Sequence, residues 1–90
     1  MVPMHEQLIA IRKQLSLTQQ EMAWEIGMSL RAYQALEGRE SSCRVIHLLA
    51  AERVALRKAA VSGDLSLLPE TVSLDALRLA PTLIKSLDTV

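Results

Sequence analysis

The stretch LTQQEMAWEIGMSLRAYQALEGRE, Leu17 to Glu40, carries helix start and stop signals spaced for two short helices with one sharp turn between them. Thr18 followed three residues later by Glu21 makes a capping box, in which each side chain satisfies a free backbone N–H at a helix start. Met22, Ala23 and Ile26 form the inner face of that helix. Gly27 then stands where helices end in a left-handed residue, a conformation costly for most side chains. Ser29 can cap a second short helix with Tyr33 and Leu36 inward, which Gly38 stops. The chain must turn at Gly27, and the turn sets one short helix against the other.

Upstream, Met4, Leu8, Ile11 and Leu15 recur at three- and four-residue steps and so share one face of a first helix, with Arg12 and Lys13 beside it. Downstream, RESS reads as a loop, and Val45 to Val61 is the longest continuous helical pattern. Its Leu48, Leu49, Ala51, Val54 and Leu56 cover more than one face, leaving apolar surface to spare. SGDLSLLPET reads as a linker, with Pro69 marking a break. Ser73 can cap a last amphipathic segment in which Leu74, Leu77, Leu83, Ile84 and Leu87 are apolar and Pro81 forces a kink or a fresh start. The organisation expected is a helical domain over 1–61, a linker over 62–72 and a C-terminal amphipathic arm over 73–90.

Half of the 90 residues are hydrophobic, yet only Trp24 and Tyr33 are aromatic, so the core must be built from aliphatic side chains on helices. The fold class expected is all-α. The single Cys43 cannot form an internal disulfide, and with His5 and His47 it makes no recognisable ligand set, so neither a metal nor another cofactor is expected. No run approaches the ~18 apolar residues of a membrane span. MVPMHEQ has neither the basic start nor the apolar stretch of a signal peptide, and the cytoplasm is the location expected. No nucleophile motif or glycine-rich phosphate loop organises the Ser, His and Asp residues, so no enzyme is expected.

The net charge is zero but unevenly spread. Residues 1–60 hold eight Lys and Arg against six Asp and Glu, and residues 61–90 hold two against four, so a weakly basic head carries an acidic tail. So few aromatic residues argue against a platform for RNA or single-stranded DNA, which needs several exposed rings.

In LTQQEMAWEIGMS, Gln19 opens one helix, Ala23 stands where two helices pack closest, Gly27 makes the turn and Ser29 the next cap, and the pattern continues in YQALEGRE. Over roughly Leu8 to Leu56 this resembles the helix-turn-helix domain of the phage repressor and Cro family, also called the xenobiotic response element (XRE) family of bacterial regulators. The resemblance implies a lambda-repressor-like bundle of four to five helices, with Arg12 paired to Glu37. It also implies that the second short helix is a recognition helix, with Ser29, Leu30, Arg31, Gln34 and Ala35 at base edges in the major groove. The free N–H groups at the start of the helix before it, with the Gln19 side chain, would hold a phosphate, and Arg39 and Arg44 would reach the backbone nearby. Two departures stand out: Tyr33 where a small β-branched residue is common, and Leu30 where a polar one often stands.

The function expected is that of a sequence-specific double-stranded DNA-binding transcriptional regulator, a repressor acting as a homodimer on an inverted-repeat operator. Its two recognition helices would enter successive major grooves ~34 Å apart. The dimer surface expected combines the outer face of Val45 to Val61 with the arm around Leu74 to Leu87, because the chain alone would expose apolar patches. The alternative is an antitoxin-like or adaptor module that uses the same scaffold and holds another protein through its arm. Trp24 lies off the inner face of its helix and is expected to be covered by the arm or by a partner subunit. Tyr33 is expected in the core, and Cys43 as a partly buried residue without redox function.

Overall fold

The structure, a computed structural model, describes residues 1–88. Among these the chain forms α1 (Met4–Gln14), α2 (Gln19–Glu25), α3 (Leu30–Glu37), α4 (Val45–Ser62) and α5 (Glu70–Asp88), with a 3-10 turn at Leu65–Leu67 and no strand. None of these helices is long and apolar enough to cross a membrane.

Local chemistry explains the short elements. The capping box at α2 is complete: the Glu21 N–H donates to Thr18 Oγ1 at 3.1 Å, and the Thr18 N–H donates to Glu21 Oε1 at 2.9 Å. α2 ends through Gly27, whose φ is 75°, and the next amide, that of Met28, reaches back to the Ala23 carbonyl at 2.9 Å. α1 ends by the same device, with Leu17 N–H on the Arg12 carbonyl at 3.2 Å, but the left-handed residue there is Ser16, at φ 56°. Ser29 Oγ accepts from the Ala32 N–H at 3.1 Å and starts α3. At α4 the His47 Nδ1 accepts from the Arg44 N–H at 2.8 Å, so this histidine closes a helix start.

Leu8, Met22 and Tyr33 are the largest fully buried side chains, and they bring α1, α2 and α3 together over Leu48, Ala51, Val54 and Ala55 of α4. Each buried aliphatic side chain contributes about 1.5–3 kcal/mol to holding this arrangement. Ala23, 1% exposed, lets α2 and α3 approach closely. Met4 departs from the face expected for it: 38% exposed at the first turn of α1, it lies at the edge of the core.

Two expectations for the C-terminal third are corrected, and of the two outcomes expected at Pro81, a kink or a fresh start, the fresh start is excluded. The segment read as a linker is docked: Leu67 packs against the core and Gln14 Nε2 donates to the Ser66 carbonyl at 2.7 Å. α5 begins at Glu70 rather than at a Ser73 cap, with the Ser73 N–H on the Pro69 carbonyl at 3.0 Å, a helical bond that places Ser73 inside the first turns. α5 also runs through Pro81 without a fresh start; proline removes one donor from the helix, and the bonds on either side carry the helix past it. α5 stands away from the bundle, with none of its side chains buried among residues 70–87. The radius of gyration, 14.7 Å, exceeds the ~12 Å of a compact chain of this length.

Candidate nucleic-acid interface

α3 has two sharply different sides. Tyr33 and Leu36 are buried at 0% and 2% exposure, whereas Ser29, Leu30, Arg31, Gln34 and Ala35 are all exposed. Arg31, Gln34 and Ala35 are three and four residues apart and so project from one stripe, with Ser29 and Leu30 at its N-terminal end. Leu30, 37% exposed, is the apolar member of this surface. Arg39 and Arg44, just beyond α3, are exposed as well.

Behind the stripe lies a polar cluster that fixes α3 to α1 and α2. Arg12 Nε donates to Glu37 Oε2 at 2.7 Å and Arg12 Nη2 to Glu37 Oε1 at 3.0 Å, while Arg12 Nη1 takes the Leu17 carbonyl at 3.0 Å. Gln19 Nε2 also donates to Glu37 Oε1 at 3.0 Å. Burial alone would raise the Glu37 pKa, but the hydrogen bonds from Arg12 and its neighbours outweigh it and hold the carboxyl below its ordinary value. The Arg12 pKa is raised, chiefly by its hydrogen bond to Glu37. Burial, with the Glu37 carboxylate beside it, pushes the Tyr33 phenol above its usual pKa; its hydroxyl is buried without a well-formed hydrogen bond.

The cluster reaches the exposed stripe through one link that sequence reading missed. Gln34 Nε2 donates to Gln19 Oε1 at 3.3 Å, so Gln19 bridges Glu37 to Gln34. A glutamine side chain has two N–H donors, so Gln19 retains one for another acceptor. The start of α2 is less open to an anion than expected. The Glu21 carboxylate, its pKa lowered by the Thr18 N–H, already sits there as a fixed negative charge.

Of the ten Lys and Arg, three are held in ion pairs, and Lys13, Arg53, Arg78 and Lys85, remote from the exposed side of α3 in sequence, make none among the described residues. Arg12 is committed to Glu37, and Arg57 and Lys58 of α4 hold Glu25 at 2.7 and 3.3 Å. Arg31, Arg39 and Arg44 make no ion pair among the described residues. Three arginines around α3 are thus available to an external anion.

Two further residues are placed plainly. Trp24 is 84% exposed, so the arm of its own chain does not cover it, contrary to one of the two covers expected. Cys43 is 5% exposed, and burial raises its thiol pKa, which keeps the less reactive thiol form. Compared with known proteins, the chain matches no family model, no curated protein and no solved structure.

Proposed function

We propose that the protein is a sequence-specific double-stranded DNA-binding regulator, a repressor that acts as two copies on an inverted repeat through a lambda-repressor-like helix-turn-helix formed by α2 and α3. The observation that carries this reading is the exposed stripe of α3. It combines Arg31 and Gln34 with flanking arginines that make no ion pair among the described residues, on a helix tied from behind by the Arg12–Glu37 and Gln34–Gln19 hydrogen bonds. Arg31 would take the two acceptors of a guanine edge, and Gln34 an adenine, each good bidentate pair being worth ~1–3 kcal/mol of discrimination. Leu30 would pack on a thymine methyl. Arg39, Arg44 and the spare N–H of Gln19 would take phosphates, fixing register without reading sequence.

Selection of bound duplexes from a random DNA pool, repeated at two salt concentrations, tests the reading. An enriched inverted repeat with steep salt dependence is expected. Failure to enrich any sequence would sink it in favour of a second reading, an antitoxin-like or adaptor module. The observation favouring that second reading is the apolar surface of α5, where Leu77 and Leu87 are 70% and 74% exposed.

A further inference from the structure

The side chains that join the buried ion pair to the exposed stripe of α3 are ordered from the buried end outwards. Glu37, its side chain 4% exposed and its pKa held low, is an ionised carboxylate and can only accept; its Oε1 takes both Arg12 Nη2 and Gln19 Nε2 at 3.0 Å. An amide turned the other way would set its oxygen against that carboxylate, so Gln19 presents Nε2 to Glu37 and Oε1 away from it. Gln19 Oε1 can in turn only accept, and the group it meets is Gln34 Nε2 at 3.3 Å. The amide of Gln34 is therefore turned with its nitrogen toward Gln19. Leu30, at the N-terminal end of the same stripe, has no polar atom with which to compete for Gln19.

With one N–H spent on Gln19, Gln34 keeps one N–H and its carbonyl oxygen for an outside partner, and the side chain is exposed. One donor beside one acceptor complements the major-groove edge of adenine, which offers N7 as acceptor and the N6 amino group as donor. Guanine offers two acceptors, N7 and O6, and Gln34 has a single free N–H to give. A glutamine released from Gln19 regains its second N–H and is free to turn its amide over, so it no longer separates the two purines by donor count.

We propose that Glu37 and Gln19 together set which purine Gln34 reads: the buried carboxylate fixes the Gln19 amide, the Gln19 amide fixes that of Gln34, and the stripe takes adenine and rejects guanine at that position. Gln34 is the residue that meets the base, and Gln19 and Glu37 are positioning residues for it. Arg12 holds the far end of the relay, since its two bonds keep Glu37 charged and in place. The choice rests on the duplex reading given above and adds to it the origin of one base preference.

The full-length chain tests it in two ways. In the free protein, nuclear magnetic resonance of the Gln34 side-chain amide is expected to show one bonded and one free proton, with a cross-relaxation contact to the Gln19 side chain. In Gln19→Met, which keeps the length and removes both polar atoms, Gln34 should revert to the signals of a solvated glutamine, and thermal unfolding confirms that the variant folds. Duplex affinity is the second readout. Gln34→Met identifies the operator position that Gln34 reads, as the one whose preference disappears. At that position the unaltered chain is expected to prefer adenine to guanine by roughly tenfold or more, and Gln19→Met to bring the ratio down to about threefold or less, with preferences elsewhere kept. Loss of a phosphate contact from Gln19 lowers affinity for all duplexes alike and cancels in that ratio. An adenine preference that Gln19→Met leaves intact, a guanine preference in the unaltered chain, or a Gln34 amide free of Gln19 in the unaltered chain would each overturn the proposal. Failure of the duplex reading looks different: no sequence is enriched while Gln34 still shows its bonded proton, and the base choice then falls with that reading.

Discussion

Arg12 and Glu37, 25 residues apart, are joined by two parallel hydrogen bonds with side chains only 14% and 4% exposed. The pair fixes the end of α3 against α1, so the orientation of the exposed stripe depends on it. Removing one partner leaves a buried charge alone, whereas replacing both by apolar groups of similar size does not. Arg12→Met is therefore expected to lower the unfolding free energy by ~3–5 kcal/mol, and Arg12→Met with Glu37→Leu by much less than the two single losses together. Urea unfolding of the four chains measures the cycle, and additive losses would show that the pair is not coupled.

Acid should weaken the same contact. The Glu37 pKa is held below its ordinary value near 4.5, so the carboxylate binds fewer protons in the folded chain than in the unfolded one. Its stabilising contribution is fully present above the unfolded pKa and is lost as pH falls through the lower folded value. Stability is expected to be flat with respect to this group at neutral pH and to drop below about pH 4.5, with a smaller drop in Glu37→Gln. An equal acid limb in that variant would assign the loss to other carboxylates.

Two left-handed residues end α1 and α2, one suited to the conformation and one not. At Gly27 an added Cβ meets nothing within 4 Å, so Gly27→Ala carries the backbone cost alone, ~1–2 kcal/mol of destabilisation. Ser16 already bears that cost, and Ser16→Gly is expected to stabilise by roughly 0.5 kcal/mol, because glycine's extra freedom in the unfolded chain offsets part of the gain. Thermal unfolding should move in opposite directions for the two variants. The same direction in both would contradict the assignment of the turns.

Whether these features were legible depended on the distance along the chain over which they act. Thr18 with Glu21, Gly27 and Ser29 are local devices, each completed within a few residues, and sequence spacing alone was enough to identify them. Ser16 escaped notice because serine has no preference for the left-handed conformation, which it adopts where the Leu17 N–H turns back to the Arg12 carbonyl at the end of α1. The docking of 62–69 was equally hidden, since Gly, Ser, Asp and Pro suggest a linker, whereas the bond from Gln14 to Ser66 spans 52 residues. Arg57 and Lys58 on Glu25 are another long-range match that composition cannot reveal. At the candidate site helical spacing gave the inward Tyr33 and Leu36, while the residues named on the exposed side of α3 came from the family resemblance. The commitment of Gln19 to Glu37 and Gln34 required knowing how two helices cross.

Trp24 is a large side chain that this chain leaves open, at 84% exposure. Trp24→Ala is expected to change the unfolding free energy by no more than ~0.5 kcal/mol, as for other surface sites without partners. A larger loss that grows with protein concentration would show that a second copy covers it.

The two arginines at either end of α3 should fail differently. Arg31 lies on the exposed stripe with Gln34, where a base edge would be met, while Arg39 follows the helix in a loop, where only a phosphate would be near. Arg31→Ala is expected to relax sequence preference at one position of the operator, worth ~1–3 kcal/mol there, with the salt dependence on non-specific duplex little altered. Arg39→Ala is expected to weaken all duplexes alike and to reduce the slope of log affinity against log salt by about one. Titration of both variants on a selected duplex and a scrambled one, at several salt concentrations, separates the two. If they lose affinity equally for both duplexes, Arg31 is a phosphate contact and base reading passes to Gln34 and Leu30.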